Sequence, residues 1–86
     1  MERVRNLALA YKALEEGGSM PCVLNAANEV CVAAFLNDKV GFLQMSDVIE
    51  KTMQTIPFQK QPSLDDYIAI DAESRRVASK LIEDNN

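Results

Sequence analysis

Between Glu2 and Glu16, apolar residues recur at Val4, Leu7, Ala8, Tyr11 and Leu14. This i, i+3, i+4, i+7 spacing predicts an amphipathic helix whose apolar face a core would cover. Gly17 and Gly18 stop it, one of them taking the left-handed conformation that closes a helix end without a Cβ clash. Ser19, Met20 and Pro21 follow as a short connection, extended because proline disfavours helical geometry in the residue before it. The next stretch, Leu24 to Leu36, carries its polar residues Asn25, Asn28 and Glu29 at one end, while Val30 to Leu36 are apolar on every side. That pattern predicts a central helix, about Asn25 to Asn37, wrapped by others. Asn25 would cap it, and Glu29 would sit near the positive end of its dipole. Ala26, Ala27, Ala33 and Ala34 would admit close neighbours, with Phe35 as the large knob whose loss in Phe35→Ala is expected to cost roughly 3 to 5 kcal/mol.

Asn37 and Asp38 mark the end of that helix, with Lys39 near its last carbonyls, and Gly41 breaks any continuation. Phe42 to Met45 read as an extended crossing that tucks Phe42 under the bundle. Ser46 is then an amino-cap with Asp47 supporting the dipole, and Val48, Ile49, Thr52, Met53 and Ile56 form a short amphipathic helix to about Thr55. Pro57 ends it, and the stretch to Pro62 is a loop. Ser63 caps a further start with Leu64, Tyr67 and Ile68 as its apolar edge. Asp71 suits either a mid-helix position or, preferably, the cap of a separate last helix carrying Val77, Ala78, Leu81 and Ile82. The tail Glu83 to Asn86 is polar and expected to fray. The fold class is therefore all-α, a small four-helix bundle with mostly antiparallel neighbours.

Composition narrows the function classes. Eighty-six residues, 48% of them hydrophobic, suffice for one modest core over residues 1–86. A net charge of −4 argues against a nucleic-acid partner, since phosphate contacts need a basic stripe, and Glu73 and Glu83 dilute the patch of Arg75, Arg76 and Lys80. No apolar run reaches membrane-spanning length and no secretory leader is recognisable, so the expected address is the cytoplasm. Cys22 and Cys31 lie nine apart in a chain without histidine, a spacing that fits neither zinc nor thiol-redox chemistry; buried reduced thiols are expected.

No catalytic, cofactor-binding or metal-ligating set emerges. Asp47 with Glu50, Asp65 with Asp66, and Asp71 with Glu73 bring acids together, but helix-start roles suit Asp47, Asp65, Asp66 and Asp71 better than acid–base work or magnesium binding. The two glycines end a helix instead of joining a strand to one, so they do not make a phosphate cradle. The serines lack a base, and Lys39 and Lys51 sit among polar neighbours.

The run Leu24-Asn25-Ala26-Ala27-Asn28-Glu29, continued through Leu36, resembles the carboxyl-terminal helical domain of the 1-deoxy-D-xylulose 5-phosphate reductoisomerase family. Leu9 to Leu14 with Gly17-Gly18, Val40-Gly41-Phe42 with Ile49-Glu50, and Pro62-Ser63-Leu64-Asp65-Asp66 with Asp71-Ala72 and Arg75 resemble its other segments in order and spacing. The resemblance implies a parent enzyme that uses NADPH and a divalent metal, Mg or Mn, to convert 1-deoxy-D-xylulose 5-phosphate to 2-C-methyl-D-erythritol 4-phosphate in non-mevalonate isoprenoid synthesis. It implies that the nucleotide and catalytic groups sit in other domains and that this piece is inert alone, and it leaves open whether Met1 is native. The implied partners are the remaining domains of the parent, with self-association expected of the isolated piece. Asn25, Asn28 and Glu29 are the candidate interdomain contacts; capping is their nearer role, and Asn28 is best placed to reach outward. The alternative is a free-standing helical interaction module, which would expose an apolar groove.

Overall fold

The computed structural model describes residues 2–84, with side chains from Arg5 onward. Met1, and Asn85 and Asn86 of the expected frayed tail, lie outside the described residues, as does the side chain of Val4. The chain forms α1 (Glu2–Glu16), α2 (Met20–Leu36), α3 (Phe42–Thr55) and α4 (Leu64–Asp84), with no strand among the described residues. The second helix packs against all three others. The overall extents are 35 × 25 × 18 Å, so the bundle is two helix layers deep.

Gly17 and Gly18 both take positive φ, 66° and 52°, and the Gly17 N–H donates to the carbonyl of Ala13 at 3.0 Å. The helix closure expected of this pair is thus made by two left-handed residues. Contrary to the expected start near Asn25, α2 begins at Met20. Pro21 lies in its first turn, where backbone N–H groups have no partner within the helix, so a residue without one loses nothing there. The preference of Met20 for extended geometry is outweighed by burial of Met20 and Val23 in the core. Asn25 therefore lies more than a turn inside the helix and cannot cap it.

Val23, Ala26, Ala27 and Cys31 are the enclosed face of α2. The full wrapping expected of this helix is not observed: beyond Cys31, Val32, Ala33, Phe35 and Leu36 are exposed. Close crossing of neighbouring helices selects small side chains for the inside, which puts the large ones out. Phe35, 40% exposed, is not the core knob; it meets Phe42 edge-on with ring centroids 6.1 Å apart. The end at Asn37 is as expected: its backbone N–H reaches the Ala34 carbonyl, and its side-chain Nδ2 donates to the Ala33 carbonyl at 2.8 Å.

The segment Phe42 to Met45, expected to be extended, is the first turn of α3. Gly41 takes the extended cap position, and its N–H donates to Gln44 Oε1 at 3.0 Å. Ser46 is consequently inside the helix, fully buried, with its hydroxyl donating to Asn6 Oδ1 on α1, while Phe42 is exposed. Farther on the expectation holds. Val48, Ile49, Thr52, Met53 and Ile56 are all buried, the helix ends at Thr55, and Ile56 is extended before Pro57.

Ser63 caps α4 as expected, its Oγ accepting the Asp66 N–H at 3.1 Å while Asp66 Oδ2 accepts the Ser63 N–H at 3.0 Å. The helix then runs unbroken through Asp71, against the expectation of a separate last helix. Arg75, four residues on, donates to Asp71 Oδ2 at 2.9 Å, so the carboxylate has a partner mid-helix. The buried line is Ile70, Ser74, Ala78 and Ile82, every fourth residue, and the expected edge of Leu64, Tyr67 and Ile68 faces outward.

Candidate functional site

Helix α1 turns its smaller side inward. Leu9 and Ala13 are buried, Asn6 and Ala10 are half-buried, and Asn6 accepts the hydroxyl hydrogen bond from Ser46. Its other large apolar residues point the opposite way: Leu7 is 56% exposed, Tyr11 65% and Leu14 71%. These are the residues whose spacing predicts the helix, and the expectation that a core covers them fails within this chain. One signal was present in the sequence. Leu9, Ala10 and Ala13 make α1 apolar on its second side as well, and that side, small enough for close packing, is the one the bundle takes.

Beside the outward stripe lies a shallow pocket of about 280 Å³ between α1, α2 and α3, floored by Leu9, Leu24 and Ile49. Asn25 and Asn28 line it from α2, and Ala10 from α1. Three sequence-level candidates thus separate into a pair and a single. Asn25 and Asn28 share the pocket, both exposed and 3 positions apart on one helix. Glu29 instead faces α4, where its Oε1 lies 2.7 Å from Arg75 Nη2. It is ten residues into α2, so the role near the positive end of the dipole is also corrected.

The charged groups form clamps between elements, not an ionisable cluster. Arg5 on α1 reaches Asp47 at 2.6 Å and Glu50 at 2.9 Å on α3; Asp47, expected at a helix start, lies inside α3, which begins at Phe42, and takes the first of these contacts. Those two acceptors raise the Arg5 pKa, Asp47 first. Arg75 bridges α4 to α2 through Glu29 and pairs with Asp71 on its own helix; Asp71 and then Glu29 raise its pKa. Arg76 pairs with Glu73 and holds that carboxylate below its ordinary pKa. The suspected basic patch is therefore largely neutralised from within, and Asp65 and Asp66 occupy the first turn of α4 as expected.

Cys31 is buried with Sγ 3.8 Å from the Met45 carbonyl, and loss of hydration pushes its thiol up to about 11, un-ionised at neutral pH. Cys22 is only half-buried, short of the burial expected of it because it sits on the flank of α2 and not on its enclosed face; both cysteines are free. Among the described residues no group of three or more His, Cys, Asp or Glu is placed to hold a metal ion. The Gly17-Gly18 turn follows a helix and packs on the loop at Gln59 and Lys60, so it offers no nucleotide seat. Among the described residues, the side chains thus fit neither the metal nor the nucleotide of the implied parent. No described helix is long and apolar enough to cross a membrane.

The sequence profile described as the DXP reductoisomerase C-terminal domain matches residues 1–77. The 1-deoxy-D-xylulose 5-phosphate reductoisomerase of Bacteroides thetaiotaomicron is 63% identical over 81 residues, 94% of this chain and 21% of that protein. One from Bacillus cereus strain AH187 is 49% identical over the same shares. A solved structure of the Zymomonas mobilis reductoisomerase in complex with NADPH superposes with a TM-score of 0.81 at 46% identity, covering 90% of this chain and 20% of that one. The chain spans about a fifth of the length of these relatives. With the LNAANE helix at its centre, the four-helix arrangement and the profile match across nearly its whole length, the chain belongs to the DXP reductoisomerase C-terminal domain family.

Proposed function

We propose that residues 1–86 act as one structural domain of a reductoisomerase, and that the NADPH-binding and catalytic domains lie elsewhere in a longer polypeptide. The parent converts 1-deoxy-D-xylulose 5-phosphate to 2-C-methyl-D-erythritol 4-phosphate, with NADPH as reductant and a divalent metal, Mg or Mn, in the cytoplasm. The observation that carries this reading is the profile match over residues 1–77 in a chain that spans a fifth of its relatives. The bundle's side chains support an inert role, since among the described residues they bring together no base, nucleophile or metal-ligating set. Asn25 and Asn28 are the interdomain contacts at the pocket. Glu29 contributes indirectly, by tying α2 to α4 through Arg75. The net charge of −4 and the pairing of Arg75 and Arg76 with carboxylates of this chain speak against a nucleic-acid partner.

The test is an assay of NADPH oxidation with deoxyxylulose phosphate, run on the full-length protein and on the 86-residue chain. Metal-dependent turnover is expected from the first and none from the second. Turnover by the short chain, or a full-length protein inert with added magnesium or manganese, overturns the reading. The open reading frame is expected to extend about 300 residues upstream, the size of two further domains.

A further inference from the structure

We propose that the outward stripe of α1, Leu7, Tyr11 and Leu14, together with the adjoining pocket, is the face against which the preceding part of the same polypeptide packs. The proposal rests on the domain reading above and adds to it the surface and its occupant.

Three observations converge on this face. Of the four large apolar side chains described in α1, Leu7, Tyr11 and Leu14 point away from the bundle, which holds the helix mainly through the fourth, Leu9, and Ala13. A helix that commits its bulkiest side chains outward has a second partner, because exposed apolar side chains of this size gain nothing from water. The stripe is also continuous with the pocket. Ala10, which lines the pocket, is three residues from Leu7 and four from Leu14, and so neighbours both on the helix surface. The far wall carries the carboxamides of Asn25 and Asn28, donors and acceptors suited to the backbone of an arriving segment. Finally, the family is a C-terminal domain and its relatives have about four-fifths of their length outside the match, so the missing polypeptide enters through α1. A ridge of apolar side chains on the entering helix is the nearest such surface to that polypeptide. The outward residues of α4, Leu64 and Ile68, lie on the helix farthest along the chain from that entry.

Hydroxyl-radical footprinting of the unmodified full-length protein reads this directly. Within the bundle alone Tyr11 is more exposed than Tyr67. In the full-length protein, Tyr11 and Leu14 are expected to oxidise at least fivefold more slowly than in the same protein unfolded in urea, and Tyr11 more slowly than Tyr67. Smaller protection of Tyr11 overturns the proposal, as does protection that disappears on hundredfold dilution, which would make the occupant a second copy. Leu14→Cys in the full-length protein, probed with a maleimide against Lys12→Cys on the same helix, is expected to label at least tenfold more slowly; equal rates overturn the assignment. Turnover measured on the same unmodified sample separates the two readings. An active enzyme with an unprotected Tyr11 rejects this face alone, and an inactive one with a protected Tyr11 rejects the reductoisomerase reading alone.

Discussion

Helices α1 and α3 carry apolar stripes of the same helical spacing and use them in opposite ways. In α3 the stripe from Val48 to Ile56 is buried in this chain's core, position for position as its periodicity predicts. In α1 the stripe from Leu7 to Leu14 faces out, and the bundle is met by a smaller second side. Period establishes that a helix has an apolar face. It does not establish which chain, or which part of a chain, covers it. Where a helix is apolar on two sides, the smaller one goes where neighbouring axes come closest, and the larger one is left for another partner.

The comparison is open to substitution at graded exposure. The largest effect is expected at Val48, 1% exposed in α3. Val48→Asp buries an unpaired carboxylate and should destabilise by about 4 kcal/mol, a large part of the whole stability of a small domain. A urea melt of the variant checks this; a loss below 1 kcal/mol would mean that α3 is not gripped as described. Next comes Gly18, whose effect has nothing to do with apolar burial. A Cβ there would stand 2.3 Å from the Gln59 carbonyl oxygen, on a residue already at φ 52°. Gly18→Ala is expected to cost about 2–3 kcal/mol by thermal melt, because the obstructing atoms are backbone and the φ is unfavourable for a side chain. Phe35, 40% exposed, sits between the extremes. Phe35→Ala should cost about 1–2 kcal/mol, the edge-on contact with Phe42 plus partial burial, and not the value appropriate to a core knob. A measured 4 kcal/mol would restore the fully wrapped helix. The smallest effect belongs to Tyr11→Asp, within about 0.5 kcal/mol in denaturant melts of the 86-residue chain, since this side chain touches little of the bundle. A larger loss there would erase the contrast between the two helices.

Much of the architecture was legible in the sequence for local reasons. Helix ends at Gly17-Gly18, Asn37, Pro57 and Ser63 each depend on a residue whose backbone preference or side-chain hydrogen bond acts within a few positions. The starts of α2 and α3 were misplaced for an equally physical reason. Pro21 and Ser46 are compatible with a boundary or with a turn of helix, and the choice was made by burial of Met20, Val23 and Ser46 against elements distant in the chain. Ser19 shows the same limit. Its backbone N–H donates to the Gln59 carbonyl and its hydroxyl accepts the Gln59 N–H, both at 2.8 Å, a pairing across 40 positions with no local signature. At the candidate face the polar residues Asn25 and Asn28 were visible as an unusual cluster in an apolar run. The stripe beside them was visible as a helix and invisible as a surface.

The sequence by itself determined that this chain is all-α, that it carries a net charge of −4 and no histidine, and which family its central run resembles, because composition and short-range backbone preferences are written residue by residue. Only the tertiary structure decided that Asp71 is mid-helix beside Arg75, that Glu29 turns to α4 while Asn25 and Asn28 line a pocket, and that α1 presents its large side chains outward. Those outcomes depend on which surfaces approach most closely, a competition settled between elements far apart in the chain and not within any one of them.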